Sequence, residues 1–141
     1  MPVLWVAAAL LEPLLTFASL ARLRWAAELH DTYYVLAHHQ VTLSWVAFCA
    51  AFAVAYLILD TRPSSSYPRF LAWAHLGLTC LGLVFTFSPF LLPEPQRFVD
   101  YPETFVLAIT LTNIGYALIG LGLCAFVATL GAVAWSRLRR A

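Results

Sequence analysis

Thr104-Phe-Val-Leu-Ala-Ile-Thr-Leu-Thr-Asn-Ile-Gly-Tyr-Ala-Leu-Ile-Gly-Leu-Gly-Leu-Cys-Ala-Phe-Val-Ala-Thr-Leu-Gly-Ala-Val-Ala-Trp135 runs without a single charged side chain. About 20 apolar residues in a helix cross a hydrocarbon layer about 30 Å thick, so this stretch is expected to span a membrane. Three more stretches reach a similar length on the amino-terminal side: residues 3–21, 33–59 and 70–92. The connectors between them are short and polar. Asp60-Thr-Arg-Pro-Ser-Ser-Ser-Tyr-Pro-Arg69 and Pro93-Glu-Pro-Gln-Arg-Phe-Val-Asp-Tyr-Pro-Glu103 carry the proline and serine clusters of turns.

The composition agrees. Of 141 residues 62% are hydrophobic and 11% charged, with a mean hydropathy of +0.82, more apolar surface than a soluble domain of this size can hide. The fold expected is all-α: an integral membrane four-helix bundle forming a single transmembrane domain over residues 1–141. Its helices lie at 3–21, 33–59, 70–92 and 104–135. The solvent of such a chain is the lipid bilayer. A nucleic-acid partner is excluded by charge, because the net charge is +1, lysine is absent, and the longest basic run is Arg137-Leu-Arg-Arg140.

Arg22 and Arg24 directly follow the first helix and no basic segment precedes it, so a retained span is expected rather than a cleaved signal. The acidic third connector and the basic tail favour both termini in the cytoplasm, and a bacterial inner membrane is the expected location. Cys49, Cys80 and Cys124 are an odd number inside apolar stretches, without a CxxC pair, and read as small core residues. Tryptophans 5, 25, 45, 73 and 135 include several near the expected membrane boundaries, where an aromatic belt forms. Gly115, Gly120, Gly122 and Gly131 suit close helix contact.

Residues 30–40 read His-Asp-Thr-Tyr-Tyr-Val-Leu-Ala-His-His-Gln. This resembles the strongest signature of cytochrome c oxidase subunit I, the catalytic subunit of the heme-copper oxidases, whose pattern is H-D-T-Y-[YF]-V-V-A-H-F-H. From His30 through Ala37 only Leu36 departs from it. Trp73-Ala-His75, Leu81-Gly82 and Thr86-Phe-Ser-Pro89 are similar to that family's following helix. Gln96-Arg97-Phe-Val-Asp100-Tyr-Pro-Glu-Thr-Phe105 resembles its R-R-I-P-D-Y-P-D-A-F loop. The resemblance covers residues 30 to about 116 and implies the last four helices of that subunit. The family's first eight helices, with the copper ligands and the cross-linked tyrosine, have no counterpart here, so no oxidase chemistry is expected of this chain alone.

The resemblance assigns roles residue by residue. His38 stands where the family ligates the iron of its oxygen-binding heme. Gln40 replaces the low-spin heme ligand and His39 the phenylalanine between. Successive helical residues turn by about 100°, so positions 38 and 40 face opposite ways and His39 cannot recover the lost face. Arg97 corresponds to the second of two arginines that pair with heme propionates, the first being Gln96; by its charge alone it could equally neutralise Asp100 or Glu103. His30 and Asp31 stand where the family binds a non-redox magnesium ion, whereas read as residues alone Asp31 caps the second helix and His30 lies among headgroups.

Glu12 has no family counterpart. A carboxyl group inside a span costs on the order of 2.5–3.5 kcal/mol on insertion scales, so it is expected to be protonated, paired or facing other protein. A polar contact between chains is the preferred reading, with Gln40 a second polar contact within or between bundles; an ordinary buried acid and proton handling are the alternatives for Glu12.

These observations support a membrane heme protein with a b- or a-type heme on His38, with His39 as a secondary candidate ligand and Arg97 at a propionate. As a small cytochrome it would serve electron transfer, heme carriage or gas sensing, and a homodimer or other oligomer would complete the heme pocket. The alternative is a cofactor-free accessory or assembly subunit docking on a respiratory complex. A weaker one is a part of a split oxidase.

Overall fold

A computed structural model describes residues 1–15, 32–61, 67–88 and 101–139; of these, the side chains of 32–39, 41 and 101 are left undescribed. The chain is all-helical. Its described elements are α1 (Pro2–Ala8), α2 (Thr32–Thr61), α3 (Arg69–Phe87) and α4 (Tyr101–Leu138). The last three contain segments long and apolar enough to cross a membrane. The described part of the first apolar helix, Pro2–Leu15, is shorter than that. The rest of the span expected at 3–21 lies outside the described residues.

Contacts divide the chain into two compact units, Met1–Pro63 and Ser64–Ala141. In the first, α1 lies antiparallel along α2, as the order of its contacts shows. The Met1 amino group is 3.8 Å from the Asp60 carboxylate, Trp5 stacks on Tyr56 and Phe52, the Trp45 indole N–H donates to the Ala8 carbonyl at 3.0 Å, and Thr42 meets Glu12. Numbers rise on one helix as they fall on the other. The α2 residues in this seam, at 42, 45, 49, 52 and 56, recur every three or four positions, which is one face of a helix. Trp5, Cys49 and Tyr56 have no exposed surface there. Trp5 and Trp45 therefore serve packing, whereas Trp73 and Trp135 are exposed.

Proline shapes the start of this unit. Pro2 sits in the first turn of α1, where a missing N–H costs nothing. Pro13 has no N–H to give the carbonyl four residues back, and its ring crowds that carbonyl. The chain makes a turn at Ala9 and Leu10, with the Leu10 N–H donating three residues back to Ala7, before helix resumes over 11–15. The Ala8 carbonyl at this turn takes the Trp45 bond. Trp45→Phe keeps an aromatic ring but removes the donor and part of the buried indole; the expected loss is about 1 kcal/mol or more, read as an earlier midpoint in detergent unfolding.

In the second unit α3 and α4 are antiparallel and meet through small residues. A Cβ added to Gly82 would lie 2.7 Å from the Gly115 carbonyl oxygen, and one added to Gly122 would lie 2.5 Å from Thr79 Oγ1. Gly115 and Gly122 are seven residues apart and share a face. Gly120 and Gly131 have nothing within 4 Å of such a Cβ, so the close contact expected of four glycines on α4 is made by two. Buried His75 rests against Phe126, ring centroids 5.1 Å apart. Cys49 is buried and Cys80 half-buried, but Cys124 is exposed, which corrects its reading as a core residue.

Two boundaries differ from expectation for local reasons. α3 ends at Phe87, not Leu92, with Ser88 as its cap; the next residue, Pro89, has no N–H to offer the Phe85 carbonyl, and the Ser88 hydroxyl donates to that carbonyl at 2.8 Å instead. α4 begins at Tyr101, not Thr104, because Pro102 is tolerated in a first turn. Glu103 in its first turn and Arg137 in its last complement the helix dipole, and the Arg139 guanidinium lies 5.0 Å from the centre of the Trp135 ring.

Candidate functional site at the amino-terminal end of α2

Helix geometry distributes the three residues of the signature over three faces. Position 38 is one turn before Thr42 and within about 40° of it, and Trp45, Cys49 and Tyr56 lie on the same line. Position 38 therefore falls on the helical line that these residues share. Position 39 falls on the line of Leu43 and Val46, both exposed. Position 40 is on the far face, and Gln40 is exposed.

The seam changes character along its length. From Tyr56 to Trp45 it is aromatic, with Trp5, Phe48 and Phe52 in ring contact. At the end nearest position 38 it is polar. The Glu12 carboxyl has no exposed surface, and the Thr42 hydroxyl donates to its Oε1 at 3.0 Å. Glu12 thus makes a polar contact inside its own unit, where the sequence favours one between chains.

Sequence reasoning singled out Glu12 and His38 but missed Thr42, which joins the helix of one to the helix of the other. The available signal was its spacing of four from His38; what was lacking was the pairing of α1 with α2, which no spacing within one helix reveals. The side chains of His38 and His39 are among those left undescribed, and His30, Asp31 and Arg97 lie outside the described residues. α2 begins at Thr32, directly after Asp31. Among the described residues no three of His, Cys, Asp and Glu converge as a metal site would require.

Known proteins match more than half of this chain. Cytochrome c oxidase subunit 1 of Cereibacter sphaeroides is 33% identical over 90 residues, 61% of this chain. The chain is a distant homologue of part of cytochrome c oxidase subunit 1. The same subunit of Pecten maximus is 33% identical over 103 residues, 70% of the chain, and cytochrome c oxidase polypeptide 1 of Halobacterium salinarum is 34% identical over 97 residues, 65% of the chain. These matches take in 16% of the Cereibacter and Halobacterium subunits and 22% of the Pecten subunit, so the chain spans about a fifth of their length or less. No family model matches it, and no solved structure does.

Proposed function

We propose that this membrane protein binds one heme on α2 through His38 and acts as a small cytochrome, in electron transfer, heme carriage or gas sensing. The observation that carries the reading is the buried polar pair, Glu12 and Thr42, which ends an otherwise aromatic seam one helical turn from a histidine at position 38. Burying a carboxyl group is costly unless it has polar company, and Thr42 supplies some of it. The donors suit one heme, not two: position 38 supplies an imidazole, whereas the amide of Gln40 on the opposite face is a poor iron ligand. Heme would supply electron-transfer or diatomic-gas chemistry; the chain's own part is to ligate it through imidazole and to exclude water.

A second iron ligand comes from outside the single chain in this reading. A symmetric dimer presents the same patch from both subunits and gives one heme for every two chains. Arg97 would clamp a propionate through two hydrogen bonds.

The test is a reduced-minus-oxidised spectrum and pyridine hemochrome of the protein purified in mild detergent from heme-replete cells. A Soret band lost in His38→Ala and kept in His75→Ala is the expected result. A colourless protein overturns it. That outcome favours the second reading, a cofactor-free accessory subunit, for which Gln40 is the specific observation because an amide stands where the resemblance places a heme ligand.

A further inference from the structure

We infer that the face of α4 turned away from α3 is the seam of a parallel homodimer, set in register by Asn113 against the same residue of a second copy. The inference stands apart from the heme reading, because it needs no ligand and would hold for a colourless protein.

Asn113 is the anomaly from which it starts. The uncharged run from Thr104 to Trp135 has its midpoint between residues 119 and 120. At 1.5 Å per residue Asn113 lies about 10 Å from that midpoint, inside the hydrocarbon half-thickness of about 15 Å. Its carboxamide is exposed and makes no hydrogen bond among the described residues. Thr110, Thr129 and Ser136 on the same helix each donate to a carbonyl of their own turn. An amide turned out of its bundle without such a bond finds no water in lipid to replace it, and stays costly until another polar group meets it.

The face around it has the pattern of a helix seam. Asn113, Ala117, Gly120, Cys124, Val127 and Gly131 follow at intervals of four and three, and all are exposed. At 100° per residue they lie within about 80° of one another. Gly115 and Gly122, which meet α3, lie about 180–200° round the helix from Asn113. An average interval of 3.5 keeps one stripe against a neighbouring helix with a left-handed twist, at a crossing of about 20° in most membrane pairs. Four of the six residues are alanine, glycine or cysteine, small enough to let two backbones approach. Glycine inside a helix is a poor choice without such a neighbour, and in the single chain a Cβ on Gly120 or Gly131 meets nothing within 4 Å.

A second copy fits this face better than an unrelated helix for two reasons. A carboxamide carries donors and an acceptor, so it is its own complement, and one asparagine in a seam of this spacing fixes register and strand number. Copies of one chain insert with the same topology, so two of them run parallel about an axis along the membrane normal, and each seam residue faces its own counterpart.

The test uses the full-length protein in phospholipid vesicles, with copper phenanthroline as oxidant and the native Cys124 as probe. A disulfide-linked dimer is expected, kept in Cys49→Ser and Cys80→Ser and lost in Cys124→Ser. Adding Leu130→Cys to Cys124→Ser moves the thiol about 120° round the helix to another exposed position, where cross-linking is expected to be far slower. Energy transfer between labelled copies, followed on dilution into lipid, reads affinity. Asn113→Leu is expected to weaken the dimer about 3- to 30-fold, the range of one interhelical hydrogen bond, and Gly120→Leu about 10-fold or more through overpacking. Circular dichroism confirms that both variants remain helical. No cross-link at any protein-to-lipid ratio overturns the inference, whether lipid, another helix of the same chain or a different protein covers the face. So do equal rates from Cys124 and Leu130→Cys, the mark of random collision, and a dimer unchanged by Gly120→Leu. Heme uptake enters none of these readouts.

Discussion

Replacing Gly115 by leucine is expected to cost the second unit about 3 kcal/mol or more, toward the upper end of what overpacking does. A Cβ at this position would lie 2.6 Å from the Gly82 carbonyl oxygen and against Thr86 Oγ1. Two of these neighbours are helix backbone or tied to it: Thr86 Oγ1 itself donates to the Gly82 carbonyl at 2.9 Å. Nothing at the crossing is the loose end of a long side chain that could swing aside, so α3 and α4 must separate. The paired control is Gly120→Ala, where a Cβ meets nothing within 4 Å. There the change is expected to be neutral or slightly stabilising, because alanine is the better helix former. Unfolding midpoints in detergent mixtures read both, and equal midpoints for Gly115→Leu and wild type would show that the two backbones do not touch.

Trp5→Ala is expected to loosen the first unit by about 3–5 kcal/mol, the usual range for removing a fully buried tryptophan. Its indole has no exposed surface and touches three aromatic rings of α2, with centroids 5.0 Å from Phe52 and 6.4 Å from both Phe48 and Tyr56. In lipid the driving force is packing instead of release of water, so a cavity is filled only by rearranging these rings. Disulfide formation between cysteines placed at Ala8 and Trp45 reads the docking of α1 directly. Cross-linking as fast with Trp5→Ala as without it would overturn the prediction.

Much of the fold was legible in the sequence because lipid imposes a length on its helices, and a run such as Phe105 to Ala134 has no other reading. The ends were less legible. Pro102 looked like part of a connector and is a tolerated first-turn residue, whereas Pro89 looked like part of a helix and follows one that has already stopped. The pairing of helices was not legible at all. Glu12 invited a partner in another chain, because nothing near it in the sequence could answer a buried acid. Thr42 answers it from thirty residues away, once the two helices are laid antiparallel. The glycines show the same limit: four small residues on α4 are equivalent in the sequence, and only the angle between Gly115 and Gly122 on one side and Gly120 and Gly131 on the other sorts them. His30, Asp31 and Arg97, read from motif alone, fall outside the described residues, so their roles stand on the resemblance.

The last helix carries a consequence of plain length. Its 38 residues make a rod of about 57 Å, while a bilayer with both headgroup layers measures about 40–45 Å. Only a lean near about 40°, the edge of the range seen for membrane helices, would submerge it completely. At any ordinary inclination part of it lies outside the bilayer, and Arg137 in its last turn against Glu103 in its first makes the carboxyl-terminal end the basic one.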